Sequence, residues 1–148
     1  MECRSALMDS EGDLEKATQL LRERGFQKAE KKAERLTSQG LVEGYIHAGG
    51  RIGALVELNC ETDFVARTDE FKQLAHNIAM QVAAMSPVCV TEEEMPAGDG
   101  VEPETACLLR QPYIKDPTLT IQDLIVETVA KTGENIKVRR FARFELGN

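Results

Sequence analysis

A chain of 148 residues, 42% hydrophobic and 29% charged, has the apolar content for one core with a small appendage and is neither fibrous nor disordered in composition. Its formal charge of -7 and sequence pI near 4.9 create a field that repels phosphate backbones, which argues against nucleic acid as a direct ligand and for a protein partner. No apolar run reaches the roughly 18 residues of a membrane helix, and the N-terminus lacks a signal-peptide layout, so no membrane association is expected.

Residues 1 to 25 read as two short helices. The second is capped by Gly12-Asp13, carries Leu14, Ala17 and Leu21 on one face, and is closed by Gly25. Such a pair buries too little apolar surface to stand alone. Residues 26 to 40 follow as a polar linker helix laced with Lys28, Glu30, Lys31, Lys32, Glu34 and Arg35, expected to be a solvated connector. From residue 41 to the end, residue 148, the pattern is that of a mixed core. Residues 41 to 48 and 51 to 60 alternate with period two around Gly49-Gly50, a dipeptide suited to a tight hairpin turn. Ile52, Ala54, Val56, Leu58 and Cys60 would share the core face.

The helical period returns after Asp63, with Thr68 as cap, Phe71, Leu74, Ala75, Ile78, Val82 and Met85 on one side and Pro87 as the stop. The far side of this helix carries His76, Ala79, Met80, Ala83 and Ala84 rather than charges, so it meets either a second layer of core or a partner. Residues 91 to 106 are acidic and rich in Gly and Pro, and read as a loop. An extended stretch leads to a helix opened by Thr120 with Asp123 at capping-box spacing and closed by Gly133. The final strand would put Ile136, Val138, Ala142, Phe144 and Leu146 on one side, with Lys137, Arg139, Arg143 and Glu145 opposite, interrupted at Arg140 and Phe141. The fold class is therefore α+β: a helical N-terminal unit, a linker helix, and a core in which a three-stranded antiparallel sheet is packed by helices.

The chemistry-bearing patterns of enzymes do not occur. There is no P-loop, dinucleotide turn, H-E-x-x-H or G-x-S-x-G, and the two histidines are isolated. Glu61, Asp63 and His76 have no spacing that would gather them around a reacting atom. Cys3, Cys60, Cys89 and Cys107 form no C-x-x-C pair, so neither zinc nor redox chemistry is expected, no catalytic residue is assigned, and no cofactor is implied. What stands out is the strand exit at Cys60-Glu61-Thr62-Asp63-Phe64-Val65, where a carboxylate and a large aromatic sit side by side at a corner. One reading makes Asp63 a helix cap with Phe64 folded into the core. Alternatively, the two form a wedge that offers one apolar anchor and one charge to a partner.

Several segments resemble the elongation factor Ts family, in that family's order. They are residues 1 to 7 (MECRSAL), 12 to 17 (GDLEKA), 20 to 25 (LLRERG), 56 to 67 (VELNCETDFVAR), and Gly133-Glu134-Asn135-Ile136 with Arg139-Arg140-Phe141. The resemblance implies a ubiquitin-associated-like N-terminal domain over residues 1 to 25, incomplete because the chain begins inside the family's M-M-D/E-C motif. It also implies a nucleotide-exchange factor for elongation factor Tu, in its GDP-bound and nucleotide-free states, in which Thr62, Asp63, Phe64 and Val65 dislocate the partner's magnesium site. His76, Met80, Gln81 and Ala84, in a segment similar to the family's H-x-I-A-M-H-V-A-A, would form a second contact, with Gln81 in place of the usual second histidine. Met1 and Leu7 would form an N-terminal contact. The alternative is a shortened binding-only paralogue. A homodimer around Leu41, Tyr45 and Leu55 is expected, since a small sheet with one helical layer leaves its other apolar surface uncovered and single-module members tend to pair. It would be non-covalent, because Ala142 stands where some members carry a linking cysteine. The implied compartment is the cytoplasm, with plastid or mitochondrial matrix as the alternative.

Overall fold

The computed structural model of the chain describes residues 1–98 and 100–148. Two antiparallel-leaning helices come first, α1 (Glu2–Asp9) and α2 (Leu14–Lys32). Asp13 caps α2, its carboxylate accepting from the Lys16 amide at 3.1 Å. Ion pairs from Arg24 to Asp9 and from Lys28 to Glu2 tie the two helices along their exposed edge.

The expected break at Gly25 is absent: α2 runs straight through it to Lys32, so there is no separate linker helix. The reason is tertiary. Gly25 lies against Val126 of α6 (Ile121–Thr132), where an added Cβ would sit 3.4 Å from a Val126 methyl, and Ala29 packs on the main core. Close helix approach thus outweighs the intrinsic cost of glycine, about 1 kcal/mol in a helix interior. The polar stretch is the continuation of a docked helix rather than a solvated connector.

The main sheet has the order β1-β2-β5, formed by β1 (Gln39–Ile46), β2 (Ile52–Cys60) and β5 (Lys137–Glu145), all antiparallel. Gly49 and Gly50 turn the first hairpin, both at positive φ. Gly40 is needed for a different reason: a Cβ there would stand 2.1 Å from the Leu58 carbonyl oxygen across the ladder. Ala54, Val56, Leu58 and Cys60 face inward as the alternation required, and meet Phe71, Leu74, Ala75, Ile78 and Val82 of α4 (Asp69–Met85). Ile121, Ile125 and Val129 of α6 close the same core. The capping box of α6 is present, with Thr120 and Asp123 each accepting the other's amide and Gly133 ending the helix in the left-handed region.

Two expectations need correction. The last strand does not keep one parity. The register with β2 shifts between Glu57 and Leu58, so Val138 points inward before the irregularity and Phe141 after it. Ala142, Phe144 and Leu146 are left facing out, because one extra residue in a strand moves everything beyond it to the other face. The acidic stretch is also more ordered than a free loop. It holds a 3-10 turn (Glu92–Glu94) and a short helix α5 (Pro103–Ala106), and its ends are pinned together by a parallel bridge between Cys89 and Cys107. Asp99, within that stretch, lies outside the described residues. Beyond it a second sheet appears that the sequence pattern did not suggest, the two-stranded hairpin of β3 (Pro112–Tyr113) and β4 (Asp116–Thr120).

Candidate partner-binding site

At the exit of β2 the chain turns through Glu61 and Thr62 into a single helical turn, α3 (Asp63–Ala66). Thr62 caps it: its backbone is extended, and its hydroxyl accepts from the Val65 amide at 3.3 Å. The capping role considered for Asp63 therefore belongs to Thr62. Asp63 points outward and pairs with Arg67 at 2.7 Å on the exposed side of the turn.

Phe64 is 81% exposed, while its neighbours Val65 and Ala66 are each 5% exposed. About 100° separates successive residues on a helix, so a single turn that buries Val65 and Ala66 must turn the residue before them toward solvent. Val65, grouped in the sequence with the partner contacts, is the inner anchor of the corner, and its burial leaves Thr62, Asp63 and Phe64 as the presented surface. Thr68 fixes the other end, donating to the Val65 carbonyl at 2.7 Å and capping α4 through the Phe71 amide at 3.3 Å.

The corner is also tethered from a distance. Glu134, just past α6, accepts at one carboxylate oxygen from the amides of Glu61 (3.1 Å) and Thr62 (2.9 Å), and at the other from the Thr62 hydroxyl (2.6 Å). In return the Asn135 amide donates to the Glu61 carboxylate at 2.8 Å. The buried Cys60 thiol donates to the Thr62 carbonyl at 3.1 Å; burial first, and then the charge of Glu134, push its pKa up to about 11. Glu134 and Asn135 were visible in the sequence only as part of a motif. Their role follows from a turn that brings residues more than 70 positions apart together.

The second expected contact is split by the structure. His76, Met80 and Ala84 recur every fourth residue along α4, with Ala84 exposed and the other two half-buried. The ring of Tyr45 stands edge-on to His76 at 5.8 Å and its hydroxyl shares a hydrogen bond with His47 Nδ1 at 3.0 Å. Met80 and Ala84 line a shallow apolar hollow with Tyr45, Ile52, Ala83 and Ile114. Gln81 is not on this surface. It is fully buried, donating to Gln111 Oε1 (3.2 Å) and the Pro112 carbonyl (3.1 Å) and accepting from the Ile114 amide (3.0 Å), so it secures the β3–β4 hairpin to α4 instead of meeting a partner. Met1 is fully exposed and Leu7 is 37% exposed on α1, both remote in sequence from the corner.

Among the described residues no three His, Cys, Asp or Glu side chains gather as a metal site, and no helix is long and apolar enough to cross a membrane. The α+β scaffold presents an apolar tip flanked by a carboxylate, a combination suited to docking on another macromolecule. The family model for elongation factor Ts matches residues 10–106. Elongation factor Ts of Heliobacterium modesticaldum is 50% identical over 99% of this chain and 82% of its own length. The same-named proteins of Carboxydothermus hydrogenoformans and Thermotoga maritima are each 47% identical over 99% of the chain and over 82% and 88% of their own lengths. The chain belongs to the elongation factor Ts family, a family of translation elongation factors. The alignment with the Heliobacterium protein spans 178 positions against 148 residues here, so that relative carries internal segments this chain lacks.

Proposed function

We propose that this protein is a guanine-nucleotide exchange factor that binds elongation factor Tu in its GDP-bound and nucleotide-free states and promotes GDP release during translation elongation. The observation that carries the reading is Phe64: a phenyl ring 81% exposed beside Asp63, on a corner whose backbone is held by buried and tethered neighbours. Large aromatics on rigid supports make interface anchors. Pushed beside a bound magnesium ion, such a wedge disturbs a metal that demands near-ideal octahedral coordination at 2.0–2.1 Å, and the nucleotide phosphates lose their bridge. Exchange is then a coupling of typically 1–3 kcal/mol between two ligands of one partner, and GDP must weaken the factor's binding by the same amount.

His76, Met80 and Ala84 are proposed as a second contact, and Met1 and Leu7 as a third. The proposed compartment is the cytoplasm. Residues 1 to 25, whose second helix runs on without a break to Lys32, are proposed as the N-terminal helical unit, and residues 41 to 148 as the core.

The homodimer is proposed on the outer face of the sheet, which includes only Leu55 of the three residues expected there. Leu41 and Tyr45 pack inward on the core, whereas Val42, Ile46, Leu55 and Phe144 are 50–71% exposed on the outer side of the sheet. Glu57 of the central strand, opposite Val42, pairs with Arg140 at 3.0 Å, so both charge signs stand beside the apolar residues for a two-fold-related copy to meet.

The second reading is a binding-only paralogue, favoured by the internal segments that the longer relative has and this chain lacks. Release of fluorescent GDP from elongation factor Tu separates the two. Acceleration well above the intrinsic rate supports exchange, and tight binding at the intrinsic rate supports the second reading.

A further inference from the structure

We infer that Glu134 is a positioning residue for nucleotide exchange, the brace that makes the Phe64 corner stiff enough to displace its target. This rests on the exchange reading. A wedge works only if its support yields less than the structure it enters. Four residues make one helical turn, which has no stability of its own, because nucleating a turn fixes several dihedrals for one hydrogen bond. The orientation of α3 must therefore come from its tethers.

Those tethers converge on one carboxylate. Glu134 takes three bonds from the two residues preceding α3, at 2.6 to 3.1 Å, and hydrogen bonds to an ionised acceptor are about twice as strong as neutral ones. The Thr62 hydroxyl is used twice, donating to Glu134 and accepting from Val65, so the carboxylate fixes the rotor that caps the turn. A second set of bonds runs the other way. Asn135, 5% exposed, gives its amide to Glu61 and its side-chain Nδ2 to the carbonyls of Ala33 (3.3 Å) and Arg35 (2.9 Å), while the Arg35 guanidinium stands 3.5 Å from Glu61. The end of α2, the corner and the turn after α6 thus form one cross-braced joint directly behind Phe64. None of these bonds reaches the presented surface of Phe64, so the brace acts through position and not by contact.

The test compares Glu134→Gln, Glu134→Ala and Glu134→Asp with the parent and with Phe64→Ala, using the full chain and elongation factor Tu. Three quantities are read: amide exchange at Glu61 and Thr62, affinity for nucleotide-free elongation factor Tu, and GDP-release rate at saturating factor. Glu134→Gln keeps the shape and one acceptor oxygen but loses the charge, so the two amide bonds lose their charge assistance and the Thr62 hydroxyl loses its acceptor. Its Glu61 and Thr62 amides should exchange at least tenfold faster, with those of Val56 and Leu58 unchanged. Affinity should stay within about threefold while the saturating rate falls tenfold or more, a difference of about 1.4 kcal/mol in barrier. Glu134→Asp should recover part of that rate. Should Glu134→Ala fail to fold, Glu134→Gln carries the same reading. A full saturating rate in folded Glu134→Gln, beside a Phe64→Ala protein that has lost exchange, would overturn the brace and leave the wedge standing. Full rates in both would overturn the Phe64 wedge and the brace with it, whereas a parent that binds without accelerating GDP release would overturn the exchange reading.

Discussion

Truncating Phe64 to alanine separates a surface wedge from a core filler, because the two roles give opposite results. The ring is 81% exposed, so only about a fifth of it is removed from water within this chain. Full burial of a phenyl group stabilises by roughly 1.5–3 kcal/mol, and a fifth of that is about 0.3–0.6 kcal/mol. Alanine is also the better helix former by up to about 0.7 kcal/mol, which offsets the loss. Phe64→Ala should therefore melt within about 2 °C of the parent, since 1 kcal/mol moves the midpoint of a chain this size by about 2–4 °C. Phe71, fully buried in the first turn of α4, is the control: Phe71→Ala should cost about 3–5 kcal/mol. At the partner, loss of an aromatic anchor worth about 2 kcal/mol should slow stimulated GDP release roughly 30-fold. Stopped-flow release of fluorescent GDP measures this on protein whose melting has been checked by circular dichroism. A Phe64→Ala protein that is folded and fully active would refute the wedge.

Other expectations follow from the same geometry. Gln81→Leu should destabilise the fold by about 1–3 kcal/mol in urea titration, because it leaves the buried Gln111 Oε1 and the part-buried Ile114 amide without their partner, while exchange at low temperature stays near parental. Loss of exchange without loss of stability would put Gln81 back on the partner surface. Leu55→Asp with Phe144→Glu should give a monomer by light scattering where the parent gives a dimer; a parent that is monomeric at high concentration would remove the homodimer. Cys3 is the exposed thiol and should react with a chromogenic disulfide within minutes at about pH 8, with Cys60, Cys89 and Cys107 reacting only on unfolding. For Cys60 the folded pKa of about 11 lies above the ordinary 9.0, so the native state holds its proton longer than the unfolded chain. The stability tied to this thiol is complete below pH 9 and is lost as pH rises toward 11, which a comparison of parent and Cys60→Ala melting across that window measures.

The sequence carried the fold wherever one residue's position decided the outcome locally. The Gly49-Gly50 turn, the Thr68 cap, the Thr120–Asp123 box and the inward face of β2 all stand as the pattern required. It misled where distant packing decided. Gly25 reads as a stop but sits helical against Val126, and the irregularity between Glu57 and Leu58 turns Phe144 and Leu146 outward. The corner itself was legible as a choice between wedge and cap, and the outward Phe64 with Thr62 as the cap removes the reading of Asp63 as cap and Phe64 as core filler. The Glu134 brace was not legible, because hydrogen bonds spanning 72 and 73 positions leave no periodic trace in the chain.

In the proposed mechanism this protein releases GDP by disturbing the magnesium surroundings of elongation factor Tu. Magnesium itself is therefore the most direct probe. GDP release would be timed with and without saturating factor, once in millimolar magnesium and once in excess chelator. The account requires a large acceleration in magnesium and a much smaller fold-acceleration in chelator, where the ion the wedge displaces is already gone. An equal fold-acceleration in both, or none in magnesium despite tight binding, would contradict it.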